Sequence, residues 1–162
     1  MQKMKKILSE QEIYLKLSGL CSTCEYSPFD IRRKAVAYGA SAEAADKVVD
    51  RLIDENYISE QRYADSFVHD KFEFNRWGRN KIVAALRLKH IPSACIDKSM
   101  DSIDAEEYRK VLQELIVAKN RQTKEPDAYK RAKKLLAFAA SRGFELELAY
   151  DMVNDLCRQD TF

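Results

Sequence analysis

The sequence predicts an all-α protein in which three tandem three-helix repeats stack into an elongated, curved array. Three observations lead to this fold class: turn residues are scarce, apolar residues recur at helical spacing, and helix-start signals recur with them. The 162 residues include only four glycines and three prolines, while 33% are charged. A β-sandwich would need more turn residues, so this composition favours helices throughout.

The clearest repeated pattern is an apolar face on one helix of each repeat. In the first copy the spacing is i, i+3, i+4, i+7 and i+8, which places five side chains on one side of a helix. All five positions are apolar again 104 residues later, and three of five are apolar 51 residues later. The residues are Ala45, Val48, Val49, Leu52 and Ile53, then Ile96, Ser99, Met100, Ile103 and Asp104, then Ala149, Met152, Val153, Leu156 and Cys157.

The preceding helices align at the same offsets. Ile31, Ala35 and Gly39 correspond to Ile82, Leu86 and His90, and to Leu135, Ala139 and Gly143. The two glycines fall just after a helix, where a left-handed backbone is common. Since other residues disfavour positive φ, His90 predicts a different helix exit in the middle copy. Further upstream, Ile13, Leu17, Leu20 and Cys21 match Ala64, Val68, Lys71 and Phe72, and the third copy begins near Tyr108 with Val111, Leu112, Leu115 and Ile116.

Helix-start signals support three repeats. Ser9 with Glu12 predicts a capping box, and Ser27-Pro28 places a cap and then a proline at the first turn. Ser59 can cap the next helix, and Glu125-Pro126-Asp127 opens the last repeat's second helix.

These signals divide the chain into three repeats with one insertion. We expect an N-terminal extension with the first repeat at 1–58, the second at 59–104 and the third at 105–162. The third contains a longer internal loop near 119–127, where we expect disorder.

Several functional classes are disfavoured by the sequence. The N-terminal segment has positive charge but no apolar region after it, and no apolar run could span a bilayer, so we expect a soluble, cytoplasmic protein without membrane contact. The four cysteines are too few for a disulfide framework and are predicted to be reduced. The pair Cys21 and Cys24 has the spacing of half a zinc site or a redox couple, but no second pair completes it. We therefore predict no metal and no cofactor.

Catalytic motifs do not emerge. His69 and His90 are isolated, no nucleophile elbow occurs, and the glycines do not form a phosphate-binding loop. A binding protein, and not an enzyme, is the better interpretation.

Charge alternates along the chain. Basic residues outnumber acidic ones six to two between His69 and Ile91 and seven to two between Val117 and Lys134, whereas acids dominate Glu43 to Glu60. The second helix of each repeat is basic and the third acidic. One interpretation is an ordinary solvated surface with salt bridges; the other is a basic stripe that contacts a polyanion or an acidic groove. The candidate binding residues are Arg32, Arg33, Lys71, Arg76, Arg79, Lys81, Arg87, Lys89, Lys130, Arg131, Lys133 and Lys134.

The middle of the chain, "NYISEQRYADSFVHDKFEFNRWGRNKIVAALRLKHI", resembles the signature of RecX regulatory proteins. The match has three parts: a hydrophobic pair, an R-[FY]-A triplet, and a basic W-G stretch that precedes an I-x-x-x-L helix. "EYSPFDIRRKA" is similar to the first-repeat motif of that family. The matching central residues are Tyr57, Ile58, Arg62, Tyr63, Ala64, Lys71, Trp77, Gly78, Ile82 and Leu86.

This resemblance implies a monomeric modulator of the RecA recombinase that lies in the groove of the RecA–DNA filament and restrains ATP hydrolysis and strand exchange. Two alternatives stay open. One is direct, sequence-independent binding of single- or double-stranded DNA, with Trp77 or Phe74 stacking on bases. The other is a helical-repeat scaffold for acidic peptides.

Trp77 is predicted to be a structural anchor. Gly78 aligns with the cap residue Ser27, so the tryptophan stands at a helix entrance, where a staple between the first and second helices is expected. Arg76 and Arg79 flank this staple. The predicted anchor set is Trp77, Gly78, Ile82, Leu86 and Tyr63.

Overall fold

The computed structural model describes residues 6–159, and these residues are helical with no strand among them. Residues 1–5 of the predicted N-terminal extension and residues 160–162 of the predicted third repeat lie outside the described part. The predicted all-α class is confirmed. The helices are α1 (Glu10–Cys21), α2 (Pro28–Ala37), α3 (Ala42–Asp54), α4 (Glu60–Glu73), α5 (Arg79–Leu88), α6 (Ser93–Met100), α7 (Ala105–Gln122), α8 (Ala128–Ser141) and α9 (Leu146–Gln159).

Helices begin where the sequence predicts. The Ser9 hydroxyl accepts the Glu12 N–H at 3.1 Å, and the Glu12 carboxylate accepts the Ser9 N–H at 2.9 Å, which is a complete capping box. The backbone donor of Ser9, followed by the nearby Lys6 ammonium, lowers the pKa of Glu12. Ser27 caps α2 with proline in its first turn, and Ser59 accepts the Arg62 N–H at the start of α4.

Helix exits share one backbone conformation. Gly39 and Gly143 have φ of 103° and 92°, as predicted for residues that follow a helix end. His90 has φ of 57°, so the prediction of a different exit at this position is wrong. Its ring stacks on Phe29 with centroids 4.8 Å apart, a contact that offsets part of the cost of a left-handed histidine.

The insertion in the third repeat differs from the expected long loop near 119–127. Helix α7 continues to Gln122, and the connection to α8 is only Thr123–Asp127. Asp127 then caps α8 by accepting the Lys130 N–H at 2.8 Å. The additional residues extend a helix because each added helical residue gains a backbone hydrogen bond.

The chain forms two compact units. Unit 1 comprises Met1–Ser66 with Arg87–Ile96, and unit 2 comprises Phe67–Leu86 with Asp97–Phe162. Their boundaries fall within α4, α5 and α6. The division into three repeats at 1–58, 59–104 and 105–162 therefore stays a prediction.

The core of unit 1 is the apolar face predicted for its helices. Buried side chains from α1, α2 and α3 meet there, and Ile58 joins them from the segment after α3. Ile53 differs from the predicted pattern, since it is 40% exposed at the edge of its helix face. The core residues are Ile13, Tyr14, Leu17, Ile31, Ala35, Ala45, Val48, Val49, Leu52 and Ile58.

The core of unit 2 is more aromatic. Tyr108 of α7 is 1% exposed and lies between Phe72 and Phe144, with centroid distances of 5.9 and 5.0 Å. Aromatic pairs at these separations contribute beyond simple burial. The aliphatic residues buried in this unit include Ile82, Leu86, Leu112, Ile116, Leu135, Ala139, Ala149 and Val153.

Candidate partner-binding surfaces

The basic face of α2 in unit 1 contains two adjacent arginines in different electrostatic states. Arg32 Nε lies 2.7 Å from Asp46 Oδ1 on α3, so its charge is already paired. Arg33 is exposed, and its guanidinium lies 5.8 Å from the centroid of the Phe29 ring. Within residues 6–159, Arg33 has no carboxylate partner. It is therefore the arginine of the pair that is available to a ligand.

The predicted binding residues Arg87 and Lys89 also belong to unit 1. Lys89 Nζ lies 2.7 Å from Asp30 Oδ1, and its ammonium is 5.8 Å from the Phe29 centroid. Arg87 is exposed and forms no ion pair with the described residues. Tyr63, from the predicted anchor set, lies in the same unit; burial, followed by the nearby Asp30 charge, raises its pKa.

Trp77 in unit 2 connects the two helices on either side of its loop. Its ring makes an edge contact with Phe67 of α4 at 6.4 Å between centroids. The ammonium groups of Lys71 and Lys81 lie 4.9 and 4.4 Å from its centroid. Since these contacts come from both α4 and α5, the indole holds two cations in place while it closes the junction of the helices.

Gly78 meets the backbone of another helix junction, a contact that the sequence pattern did not indicate. A Cβ on Gly78 would lie 2.3 Å from the carbonyl carbon and oxygen of Gly143. The Gly78 N–H donates to the Arg142 carbonyl at 2.8 Å, and the Asn80 N–H donates to the Gly143 carbonyl at 2.9 Å. The start of α5 thus finds its acceptors at the end of α8. The only trace of this contact in the sequence is a glycine at each of the two helix termini, and that trace does not show which backbones meet.

Arg76 occupies a strained position in the same loop. Its φ is 54°, its guanidinium lies 2.6 Å from Glu114 of α7, and its carbonyl accepts from Arg142 at 3.2 Å. Arg142 also donates to the Asn75 carbonyl. Arg142, which sequence reasoning did not single out, therefore fixes the loop that presents Arg76.

Arg79 belongs to a half-buried cluster with Tyr108 and Glu145. Its guanidinium lies 3.8 Å from the Tyr108 centroid and 3.6 Å from Glu145 Oε2. The Tyr108 hydroxyl accepts the backbone N–H of Arg79 at 3.0 Å and donates to Glu145 Oε1 at 2.9 Å. Burial is the main cause that raises the pKa of Tyr108 far above its usual range. Arg79 therefore has a structural role. Ile82 and Leu86 of the anchor set are fully buried.

The predicted residues on α8 include exposed cations of unit 2. Lys130 and Lys133 are exposed, and the Lys133 ammonium lies 4.6 Å from the Tyr129 centroid. Lys134 Nζ lies 3.5 Å from Glu125, and Arg131 donates to the carbonyl of that glutamate at 3.2 Å. The helix therefore carries both paired and unpaired basic groups.

Ion pairing divides the predicted basic set. Arg32, Arg76, Arg79, Lys89 and Lys134 each lie against a carboxylate. Across residues 6–159, no carboxylate pairs with Arg33, Lys71, Lys81, Arg87, Lys130 or Lys133. This second group contributes uncompensated positive charge in both units.

The cysteines and acidic residues of the described chain form no metal centre, since no three metal-binding side chains are grouped within residues 6–159. Cys21 is half-buried and Cys24 exposed, and both are free thiols. Burial, followed by the neighbouring Cys24, raises the pKa of the Cys21 thiol, which disfavours the reactive thiolate. None of the described helices is long and apolar enough to cross a membrane.

The fold and these surfaces define an all-α protein with cationic side chains on α2, α5 and α8. Residues 59–100 match the family model described as the second three-helix domain of RecX, a range within the repeat predicted at 59–104. A regulatory protein RecX of Pelodictyon phaeoclathratiforme is 30% identical over 131 residues, which cover 81% of this chain and 78% of that protein. The chain belongs to the RecX family.

Other relatives and solved structures agree with this assignment. A regulatory protein RecX of Clostridium botulinum is 32% identical over 132 residues, and the match covers 80% of this chain and 59% of that protein's length. A crystal structure of a regulatory protein RecX matches 90% of this chain and 73% of its own with a TM-score of 0.82 at 20% identity. RecX from Lactobacillus salivarius has a TM-score of 0.75 at 16% identity, and the match covers 93% of this chain and 95% of that chain. The structural matches establish a shared fold.

Proposed function

We propose that this chain regulates the RecA recombinase by binding in the groove of the RecA–DNA filament and lowering its activity. Two observations support the proposal. The relatives are named regulatory proteins RecX, and the central residues resemble the RecX signature, a resemblance that implies a modulator of RecA. A regulator that binds one filament state more tightly than another shifts the population of states, so no catalytic residue is required. We infer from such a partner that the chain acts in the cytoplasm, and we propose that it acts there as a monomer.

The observation that carries the proposal is the uncompensated charge on both units. Arg33 and Arg87 in unit 1, and Lys130 and Lys133 in unit 2, are exposed and lack a carboxylate partner among the described residues. A filament repeats its surface, so several weak contacts on one chain combine through effective concentration. Paired residues such as Arg32 would contribute less, because a new partner must displace the existing one.

A titration of the full chain into a RecA DNA-dependent ATPase assay tests the proposal. The wild-type chain is expected to lower the rate in a saturable way. The triple variant Arg87→Ala/Lys130→Ala/Lys133→Ala is expected to need about tenfold more protein for half inhibition, which corresponds to about 1.4 kcal/mol.

A matched control uses exposed cations outside the candidate set. Arg109→Ala/Lys110→Ala removes positive charge from α7 and is expected to change the half-inhibitory concentration less than about twofold. An unchanged ATPase rate at saturating wild-type protein would contradict the proposed function. If both variants lose inhibition to the same extent, the net charge of the chain, and not the candidate residues, accounts for the loss.

Direct DNA binding is the second candidate, and one aromatic residue favours it. Phe74 is 76% exposed in the loop after α4, with its ring edge-on to His69 at 6.0 Å. Trp77 is less suited to stacking on a base because Phe67, Lys71 and Lys81 already surround it. An exposed aromatic beside basic residues is typical of single-strand binding.

DNA affinity measured without RecA at low and moderate salt separates the candidates. Phosphate-dominated binding falls steeply with salt, and Phe74→Ala would weaken it if the ring stacks on a base. Negligible binding of a single-stranded oligonucleotide at low salt would eliminate this candidate and leave the RecA proposal intact.

A further inference from the structure

A shallow cleft of about 460 Å³ lies beside α2 in unit 1. It is lined by Tyr26, Asp30, Arg33, Lys34 and Ala37. The small side chain of Ala37 leaves room one turn beyond the two cations. The cleft lies within a single unit, and its lining comes from α2 and the residues just before that helix.

The charged side chains around this cleft differ in whether they are already paired. Asp30 Oδ1 lies 2.7 Å from the Lys89 ammonium, and its Oδ2 accepts the Ser27 hydroxyl at 3.0 Å, so both carboxylate oxygens are occupied. Arg33 and Lys34 have no carboxylate partner within residues 6–159. The cleft therefore presents two uncompensated positive charges.

Aromatic rings orient these two cations without neutralising them. The Lys34 ammonium lies 5.6 Å from the Tyr26 centroid, and the Arg33 guanidinium lies 5.8 Å from that of Phe29. A ring quadrupole attracts a cation but contributes no net charge, so the field of each cation persists. Side chains held in this way lose less conformational entropy when an anion binds.

The same rings are poorly placed to receive a nucleobase. Lys34 lies over Tyr26, and Phe29 is stacked on His90 and flanked by Arg33 and Lys89. A single strand would be bound by its phosphates alone here, without the base stacking that strengthens such binding. The guanidinium of Arg33 presents a planar pair of donors that matches a carboxylate or a phosphate. The preference for a carboxylate therefore rests on the rings, which are already occupied and give a nucleic acid no stacking surface.

We propose that this cleft binds carboxylate side chains of an acidic polypeptide segment, with Arg33 and Lys34 as the recognising groups. The inference rests on the proposed function in one respect, that the segment belongs to the protein partner whose activity the chain regulates. The neighbouring Arg32 takes no part, because Asp46 already neutralises it.

The test is fluorescence anisotropy of a labelled oligoglutamate peptide titrated with the full chain at low salt, with oligoglutamine as the uncharged probe. Arg33→Ala is expected to raise the dissociation constant about tenfold, and Lys34→Ala by a similar factor. Arg32→Ala, which removes the same charge from the adjacent residue, is expected to change it less than about twofold. Far-ultraviolet circular dichroism of each variant checks that its helices are intact.

Three outcomes would overturn the inference. Absence of oligoglutamate binding by the wild-type chain is the first, and an equal loss for Arg32→Ala and Arg33→Ala is the second. The third is displacement of the peptide by oligothymidylate at equal or lower anion concentration, which would identify a phosphate-binding surface. Because RecA ATPase inhibition is measured separately, a chain that inhibits RecA without binding oligoglutamate would refute the cleft and leave the proposed function standing.

Discussion

Both units contain the same set of three interacting side chains, a tyrosine, a glutamate and an arginine, but they use it differently. In unit 1, Tyr14 donates to the Glu55 carboxylate, and Arg51 lies 3.6 Å from the Tyr14 centroid and 3.1 Å from Glu55. In unit 2, Tyr108, Glu145 and Arg79 repeat these contacts. The same three residue types therefore make the same contacts in both units.

The difference lies in what depends on each cluster. In unit 1 it joins Glu55, at the end of α3, to Tyr14 of α1 through side-chain contacts. In unit 2 the Tyr108 hydroxyl also accepts the N–H of Arg79, the first residue of α5. Side-chain chemistry gains energetic weight where helix starts rely on it.

The largest expected effect comes from a substitution where the Gly78 and Gly143 backbones approach each other in unit 2. Gly78→Ala would place a Cβ 2.3 Å from the Gly143 carbonyl, so the two backbones must separate and the hydrogen bonds across them must lengthen. We expect a loss of about 3 kcal/mol in the free energy of unfolding, measured by urea denaturation.

Gly19→Ala is the matched control for this substitution. Gly19 lies in α1, and a Cβ there would meet nothing within 4 Å. Because alanine is the better helix former, we expect stabilisation of up to about 1 kcal/mol. A destabilisation by Gly78→Ala no greater than that of an exposed-site substitution would show that the close approach is not required.

The second expected effect is a difference in stability between the variants of the two tyrosines. Tyr108→Phe removes the acceptor of the Arg79 N–H and the donor to Glu145 in a buried position, and we expect a cost of about 2 kcal/mol. Tyr14→Phe removes one donor to the partly exposed Glu55 carboxylate and leaves no backbone N–H without its acceptor, so it is expected to cost less. Equal changes in urea midpoint for the two variants would contradict the role assigned to the helix starts.

The sequence predicted most local features, with the left-handed exit at His90 as the exception, and missed contacts between residues distant in the chain. The capping box at Ser9 and the glycine exits at Gly39 and Gly143 depend on residues within one helical turn, and they were found from spacing alone. The contact between Gly78 and Gly143 was not predicted, because glycine spacing in a single sequence does not indicate which backbones approach each other. Likewise, the basic residues of the candidate surfaces were visible as a pattern. Which of them are neutralised depends on partners such as Asp46 and Glu114 on other helices.

The third expected effect is a pH dependence of the stability that Tyr14 contributes through Glu55 in unit 1. The hydrogen bond from Tyr14, followed by that from Arg51, lowers the pKa of Glu55. A depressed carboxyl pKa contributes stability above the unfolded value, and this contribution is lost as pH falls through the folded value. We therefore expect the stability difference between wild type and Tyr14→Phe to shrink between about pH 5 and pH 3.

Thermal unfolding of both proteins across this pH range measures the effect. Glu12, whose pKa is also lowered, is unchanged in the variant, so its contribution cancels in the difference. A difference between the two proteins that stays constant from neutral to acidic pH would show that Tyr14 does not act through the Glu55 carboxylate.

The smallest expected effect concerns the left-handed helix exits, occupied by Gly143 in unit 2 and by His90 in unit 1. His90→Gly relieves the strain of a φ of 57° but removes the ring stacked on Phe29, so the two changes oppose each other. His90→Ala removes the ring and keeps the strain. We expect the glycine variant to be about 1 kcal/mol more stable than the alanine variant, since that is the usual cost of a left-handed residue with a Cβ. Chemical denaturation of the two variants resolves this difference, and equal stabilities would mean that the exit has relaxed to another conformation in the alanine variant.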